Sequence, residues 1–251
     1  MLNQWIFQTL TPEEECNQKK LAEELGLSPS LAKLLVKRGI NTFDEAKAFF
    51  RPALSELHDP FLIKDMDLAV KRLNKALQKK ENILIYGDYD VDGTTAVALV
   101  YKFLQPYTQS SQLDYYIPDR DSDGYGVSFQ GVDYAKASGV TLVIVLDCGV
   151  KAVEEITYAK TLGIDFIVCD HHVQDEVLPP AVAILNPKLR ESSYPYPHLS
   201  GCGVGFKLMQ AFAKDNGIEF SQLIPYLDLV AVSIASDIVP IMGENRILAY
   251  H

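Results

Sequence analysis

The sequence predicts an α/β protein: a mostly parallel sheet flanked by helices, preceded by a small helical N-terminal segment. Two observations carry this. From about residue 65 onward, short apolar runs of strand length alternate with stretches of helical spacing, the pattern of strands buried on both faces. Before that point, helix-capping signals recur with no strand-like run between them.

The N-terminal helices follow from their caps. Thr11-Pro12-Glu13-Glu14 places a capping hydroxyl before a proline in the first turn. Ser28-Pro29 repeats the device, Gly39 stops that second helix, and a third short helix follows Thr42. Lys33, Lys37, Arg38 and Lys47 read as a solvated face, with a nucleic-acid-contacting surface as the lesser alternative. A linker beginning at Arg51-Pro52 separates this segment, residues 1–56, from the main domain, residues 57–251. There, Met66, Ala69, Val70, Leu73 and Leu77 lie at helical spacing. Strands are expected at 83–86, 113–117, 142–146, 166–169 and 181–185, and helices at 94–104, 128–138, 151–162, 204–214 and 221–235.

Composition narrows the function. At 251 residues, 48% hydrophobic and 22% charged, the chain can bury a substantial core. No apolar run approaches the ~20 residues of a membrane span. Residues 1–10 lack the basic-then-apolar order of a secretory leader, so a cytoplasmic location is expected. Cys16, Cys148, Cys169 and Cys202 form no CxxC pair and read as buried free thiols in a reducing compartment. The net charge of −10 excludes attraction of nucleic acid by bulk charge, so any phosphate substrate must be held locally. Carboxylates gathered in one pocket repel each other unless a cation sits among them.

Ligands of open parallel sheets bind beyond the carboxyl ends of the strands. The first strong strand is followed by Gly87-Asp88-Tyr89-Asp90-Val91-Asp92-Gly93, the run at 142–146 by Asp147-Cys148-Gly149, and the run at 166–169 by Asp170-His171-His172. One such acid is easily read as a helix cap. Acids and histidines after all three, with no lysine or arginine between, point to a metal centre. Carboxylates with a histidine suit Mn²⁺ or Mg²⁺ better than zinc. Such a set can hold two ions ~3.5–4 Å apart. Asp88 and Asp90 alternate along a turn and can each address one ion, while Asp147 could bridge.

Three further segments stand out. In residues 118–127, Arg120 could clamp a phosphate and Tyr125 could stack or hydrogen-bond, although the stretch also reads as a glycine turn before the Ser128 cap. In residues 199–207, the glycine-rich entry to a helix, with Ser200, Gly201, Gly203 and Lys207, offers N–H groups to a phosphate but lacks the GK[ST] of a P-loop. Asp237, before Ile238-Val239-Pro240, reads by itself as a helix-end surface acid.

Together these motifs resemble the DHH phosphoesterase superfamily, named for the triplet seen here as Asp170-His171-His172, and within it the RecJ family. The resemblance covers residues 57–251. It adds Asp123-Gly124-Tyr125-Gly126, Asn186-Pro187-Lys188 and the stretches 199–207 and 235–240, in matching order. It implies two Mn²⁺ or Mg²⁺ ions on Asp88, Asp90, Asp147, His171 and Asp237. Asp92 and Asp170 would stand behind the ligands, Asp170 orienting His171, and His172 would touch the scissile phosphate or a water. The implied reaction is stepwise 5′-to-3′ hydrolysis of single-stranded DNA in recombination and repair. A monomer working with single-strand-binding protein and a helicase is the implied setting. Two departures are visible: relatives carry Glu where Asp123 stands, and the chain ends at His251 in what resembles an interrupted helix. A fragment with weak or no DNA cleavage is therefore expected. The competing readings are a DHH phosphodiesterase for oligoribonucleotides or cyclic dinucleotides, and a non-catalytic replication scaffold. Leu84 stands where the small-substrate enzymes carry His, and every expected ligand is present.

Overall fold

The computed structural model describes residues 9–109 and 111–251. The chain divides into two compact units, Met1–Ser55 and Glu56–His251. In the first, α1 (Pro12–Leu25), α2 (Pro29–Val36) and α3 (Phe43–Phe50) start at Thr11, Ser28 and Thr42. Each hydroxyl accepts a backbone N–H of the first turn, and Glu14 and Glu45 complete reciprocal capping boxes.

The second unit holds the sheet. Its strands are β1 (Asn82–Gly87), β2 (Leu113–Tyr116), β3 (Val140–Leu146), β4 (Asp165–Cys169) and β5 (Ala183–Leu185). They run in the order β2-β1-β3-β4-β5, and all four pairings are parallel. The register places Gly87 beside Leu146 and Leu146 beside Cys169, so the loops that follow β1, β3 and β4 leave from one edge, side by side.

Both faces of the sheet are covered, which is why its strands read as continuous apolar runs. α6 (Phe129–Ala137) and α7 (Val153–Thr161) pack on one face, where Val132, Ala135, Ile156 and Ala159 meet Leu84, Tyr86, Val143, Val145, Phe166 and Val168. α4 (Met66–Lys79), α5 (Val91–Leu104) and α8 (Gly201–Asp215) pack against the sheet elsewhere, with α9 (Leu227–Ser236) on α5 and α8 and α10 (Gly243–Tyr250) on α9. No helix among the described residues is long and apolar enough to cross a membrane.

Three helix starts shift. α8 begins at Gly201 rather than residue 204, capped by the Ser200 hydroxyl. α5 begins at Val91 rather than residue 94, because Asp90 is itself the cap and accepts the Gly93 N–H at 2.9 Å. Residues 220–226 form two single 3₁₀ turns, so α9 starts only at Leu227. All four cysteines are free, but Cys16 is exposed and only Cys148, Cys169 and Cys202 are buried.

Candidate metal centre

The three loops converge at the carboxyl edge of the sheet. Asp88 directly follows β1 and is 1% exposed; Asp147 directly follows β3 and is 2% exposed. Asp147 has φ of 62°, a left-handed conformation uncommon outside glycine, held by its N–H donating to the Cys169 carbonyl at 2.8 Å. One ligand atom from each of Asp88, Asp90 and Asp147 lies within 4.8 Å of the others. The same holds for Asp147, His171 and His172, and for Asp92, His171 and Asp237.

His171 links these groups. Its Nδ1 lies 3.0 Å from the Leu199 carbonyl. A carbonyl cannot donate, so Nδ1 carries the proton and Nε2 presents a lone pair. Nε2 stands 3.2 Å from Asp147 Oδ1, 3.7 Å from Asp237 Oδ2 and 3.8 Å from Asp92 Oδ2. His171 Nε2, Asp147 Oδ1 and both Asp88 oxygens are buried without a hydrogen-bond partner of good geometry. Buried polar atoms are rarely left so, and Asp147, which groups with Asp88 and Asp90 and also with His171 and His172, joins these atoms into an arrangement that fits bound cations.

The electrostatics agree. Burial pushes the Asp147 carboxyl up to about 10, and repulsion from Asp92, Asp90 and Asp170 adds to it. Burial also raises Asp88, with Asp90 adding and the nearby N–H groups of Tyr89 and Gly126 offsetting part. Asp237 is raised by burial, partly offset by His171. A divalent cation would reverse this frustration.

Over residues 82–234 the chain matches the DHH family, N-terminal domain. The chain belongs to the DHH family. It is 41% identical to the single-stranded-DNA-specific exonuclease RecJ of Bacillus subtilis over 231 residues, 92% of this chain and 28% of that protein. It is 36% identical to the Escherichia coli RecJ over 233 residues, 89% of this chain and 40% of that protein. It thus spans well under half the length of these curated relatives. The crystal structure of Thermus thermophilus RecJ in complex with Mn²⁺ superposes with a TM-score of 0.75 at 25% identity, over 93% of this chain and 32% of that one. A second structure, exonuclease RecJ bound to manganese, gives 0.65 at 30% identity, over 78% of this chain and 48% of that one.

The DHH triplet divides its labour differently from the sequence expectation. Asp170 does not orient the His171 ring. Its Oδ1 accepts from the backbone N–H groups of His171 and His172 and faces His172 Nδ1 at 2.8 Å, while Oδ2 accepts from the Val150 N–H at 2.9 Å. Burial alone would raise Asp170, but His172 and these N–H groups hold its carboxyl below the ordinary range. His172 is raised in turn by its hydrogen bond to Asp170, against the effect of burial. Its Nε2 points outward to the Tyr125 hydroxyl at 3.4 Å.

The helix-entry residues are corrected as well. Ser200, Gly201, Gly203 and Lys207 are fully enclosed and do not form an open phosphate seat. The start of α8 instead receives Asp92, whose oxygens accept the Gly201 and Cys202 N–H groups at 2.7 Å each and the Ser233 hydroxyl at 2.7 Å. Asp92 therefore fastens α5 to α8 and α9. The Ser200 hydroxyl caps α8 on the Gly203 N–H at 3.1 Å. Lys207 is 0% exposed and pairs with Glu244. Arg120 and Tyr125 do lie exposed on the rim, with the Arg120 guanidinium 5.6 Å from the Tyr89 ring centre.

Two contributors were missed: the Leu199 carbonyl and Ser233. Neither carries a signal in sequence, since one is backbone and the other a helical serine. Gly201 has a role other than phosphate approach. A Cβ there would collide with the Asp147 carboxylate. Gly201→Ala is therefore expected to displace Asp147 and weaken Mn²⁺ binding by about 10–100-fold, the range seen when groups supporting a ligand are lost. Titration with Mn²⁺ checks this, and unchanged affinity would remove Gly201 from the site.

Proposed function

We propose that this chain is the catalytic core of a metal-dependent phosphodiesterase that digests single-stranded DNA stepwise from its 5′ end. Asp88, Asp90, Asp147, His171 and Asp237 would hold two Mn²⁺ or Mg²⁺ ions. The observation that carries this reading is the convergence of unpartnered, buried oxygens of Asp88 and Asp147 with His171 Nε2 at the strand ends. Oxygen donors with one imidazole suit these ions. Bound there, such a pair would supply an activated water and stabilise the leaving oxygen of a phosphodiester.

The chain's own groups do the rest. Leu199 fixes the His171 ring with its lone pair inward. Asp170 fixes the His172 ring so that Nε2 faces the open side, where it can meet the scissile phosphate. Arg120 and Tyr125 on the rim would take the strand, in place of the bulk attraction a chain of net charge −10 lacks. A role in recombination and repair, a monomeric state, a cytoplasmic location and partnership with single-strand-binding protein and a helicase accompany this reading.

Mn²⁺ titration followed by electron paramagnetic resonance is expected to show two sites per chain. Asp90→Ala and His171→Ala should each lose at least one and, carried in the full-length enzyme, reduce metal-dependent release of mononucleotides from single strands by several orders of magnitude. Failure to bind Mn²⁺ at all, or digestion indifferent to both substitutions, would overturn the assignment.

A further inference from the structure

Beside His172 lies a cavity of about 290 Å³ that none of the metal-facing groups occupies. Its walls are Tyr125, Val127, Val150 and Ala152, and Lys151 and Glu155 also line it. Asp170 and His172 also line it, and His172 has a ring nitrogen within 4.8 Å of ligand atoms of Asp147 and His171, so the cavity adjoins the carboxylate cluster. Its size is at the small end of ligand sites, ~300 Å³, which suits one nucleoside and not a length of strand.

The wall chemistry selects the part of a nucleotide that fits. Phosphate is disfavoured, because Asp170 is a buried carboxylate and Glu155 adds a second acid. The lysine that lines it, Lys151, already faces Asp175 at 3.4 Å. A flat, neutral, aromatic group is favoured. Apolar walls and a tyrosine ring receive its faces, and the Glu155 carboxylate offers an acceptor to the polar edge of the base. The phosphate on the sugar of a nucleoside seated there would lie on the His172 side, toward the carboxylate cluster.

We propose that this cavity is a nucleobase pocket that seats one nucleoside of the substrate beside the metal centre. The proposal rests on the phosphodiesterase reading and deepens it, since a pocket sized for one nucleoside fixes where the cut falls relative to a single base. Stacking accounts for affinity there without reading sequence, because every base presents a flat π-face.

The test uses the Mn²⁺-loaded chain and two probes, deoxyadenosine 5′-monophosphate and deoxyribose 5-phosphate, in calorimetric titrations. The base is expected to improve affinity about tenfold or more. Ala152→Phe, which fills the cavity, should bring the nucleotide down to the level of the sugar phosphate and leave Mn²⁺ binding unchanged. Tyr125→Ala, at an exposed position, is expected to remove much of the same advantage and guards against misfolding of the first variant. Equal affinity for the two probes in the unaltered chain, or a base advantage that survives both substitutions, would overturn the pocket. Absence of Mn²⁺ binding would instead strike the phosphodiesterase reading, so the two failures are distinguishable.

Discussion

Asp147→Asn is expected to raise the melting temperature of the metal-free chain and to abolish its stabilisation by Mn²⁺. The carboxyl is buried, repelled by Asp92, Asp90 and Asp170, and Oδ1 has no hydrogen-bond partner. Without a cation, folding is penalised whether the group stays charged or takes up a proton. Asparagine escapes both penalties. It also tolerates the left-handed backbone at this position, so the substitution leaves φ of 62° unstrained. The gain should be about 1–3 kcal/mol, the cost of leaving a buried polar group unsatisfied, or roughly 2–10 °C for a chain of this size. In the unaltered chain, Mn²⁺ at a hundredfold its dissociation constant adds about 2.7 kcal/mol, and the variant should show little of this. Calorimetry with chelator and then with Mn²⁺ separates the two effects. A variant that melts lower in chelator would mean that the carboxylate is matched by partners within the fold.

Lys207→Met is expected to cost about 3–5 kcal/mol, the penalty for stranding a buried charge. Lys207 Nζ lies 2.5 Å from Glu244 Oε1 and donates to the His58 carbonyl at 3.0 Å. Glu244 is 1% exposed, and its other partners are the His58 N–H at 3.0 Å and the Tyr194 hydroxyl at 2.5 Å. Removing the ammonium leaves this carboxylate with neutral donors alone. Burial already pulls the Lys207 amine below its ordinary value, against the pull of Glu244. Adding Glu244→Gln to Lys207→Met should restore most of the loss, because the stranded charge is then gone. Urea unfolding of the two single variants and the double variant measures it. A single-variant loss under about 1 kcal/mol would show that water reaches Glu244.

The contrast between these positions shows what the sequence made legible. Asp88, Asp147 and Asp170 follow apolar strands directly, and in a parallel sheet that local fact already determines the edge they reach. The pairing of β1, β3 and β4 then makes them neighbours. Asp237 follows a helix, so its arrival beside His171 depends on how α9 packs on α5, which local pattern does not encode. Only family resemblance suggested it. The entry to α8 misled for the same reason. A glycine-rich helix start looks like an anion site whether the anion is a substrate or, as here, the side chain of Asp92. Lys207 was one turn further along a helix whose outward side becomes interior once Glu244 of α10 covers it.

The anchors of the proposed ion pair differ in kind. Asp88, Asp147 and His171 hang from three adjacent strands spaced by the regular ~4.8 Å ladder. Asp237 hangs from the tip of α9, followed by Ile238 at φ of 55°. The spacing of the first three is thus set by the backbone pairing of the sheet, and the position of Asp237 by the packing of α9 on α5 and α8. Under the proposed assignment, a substitution in the contact of α9 with α5 would move Asp237 and leave the three strand-borne groups in place.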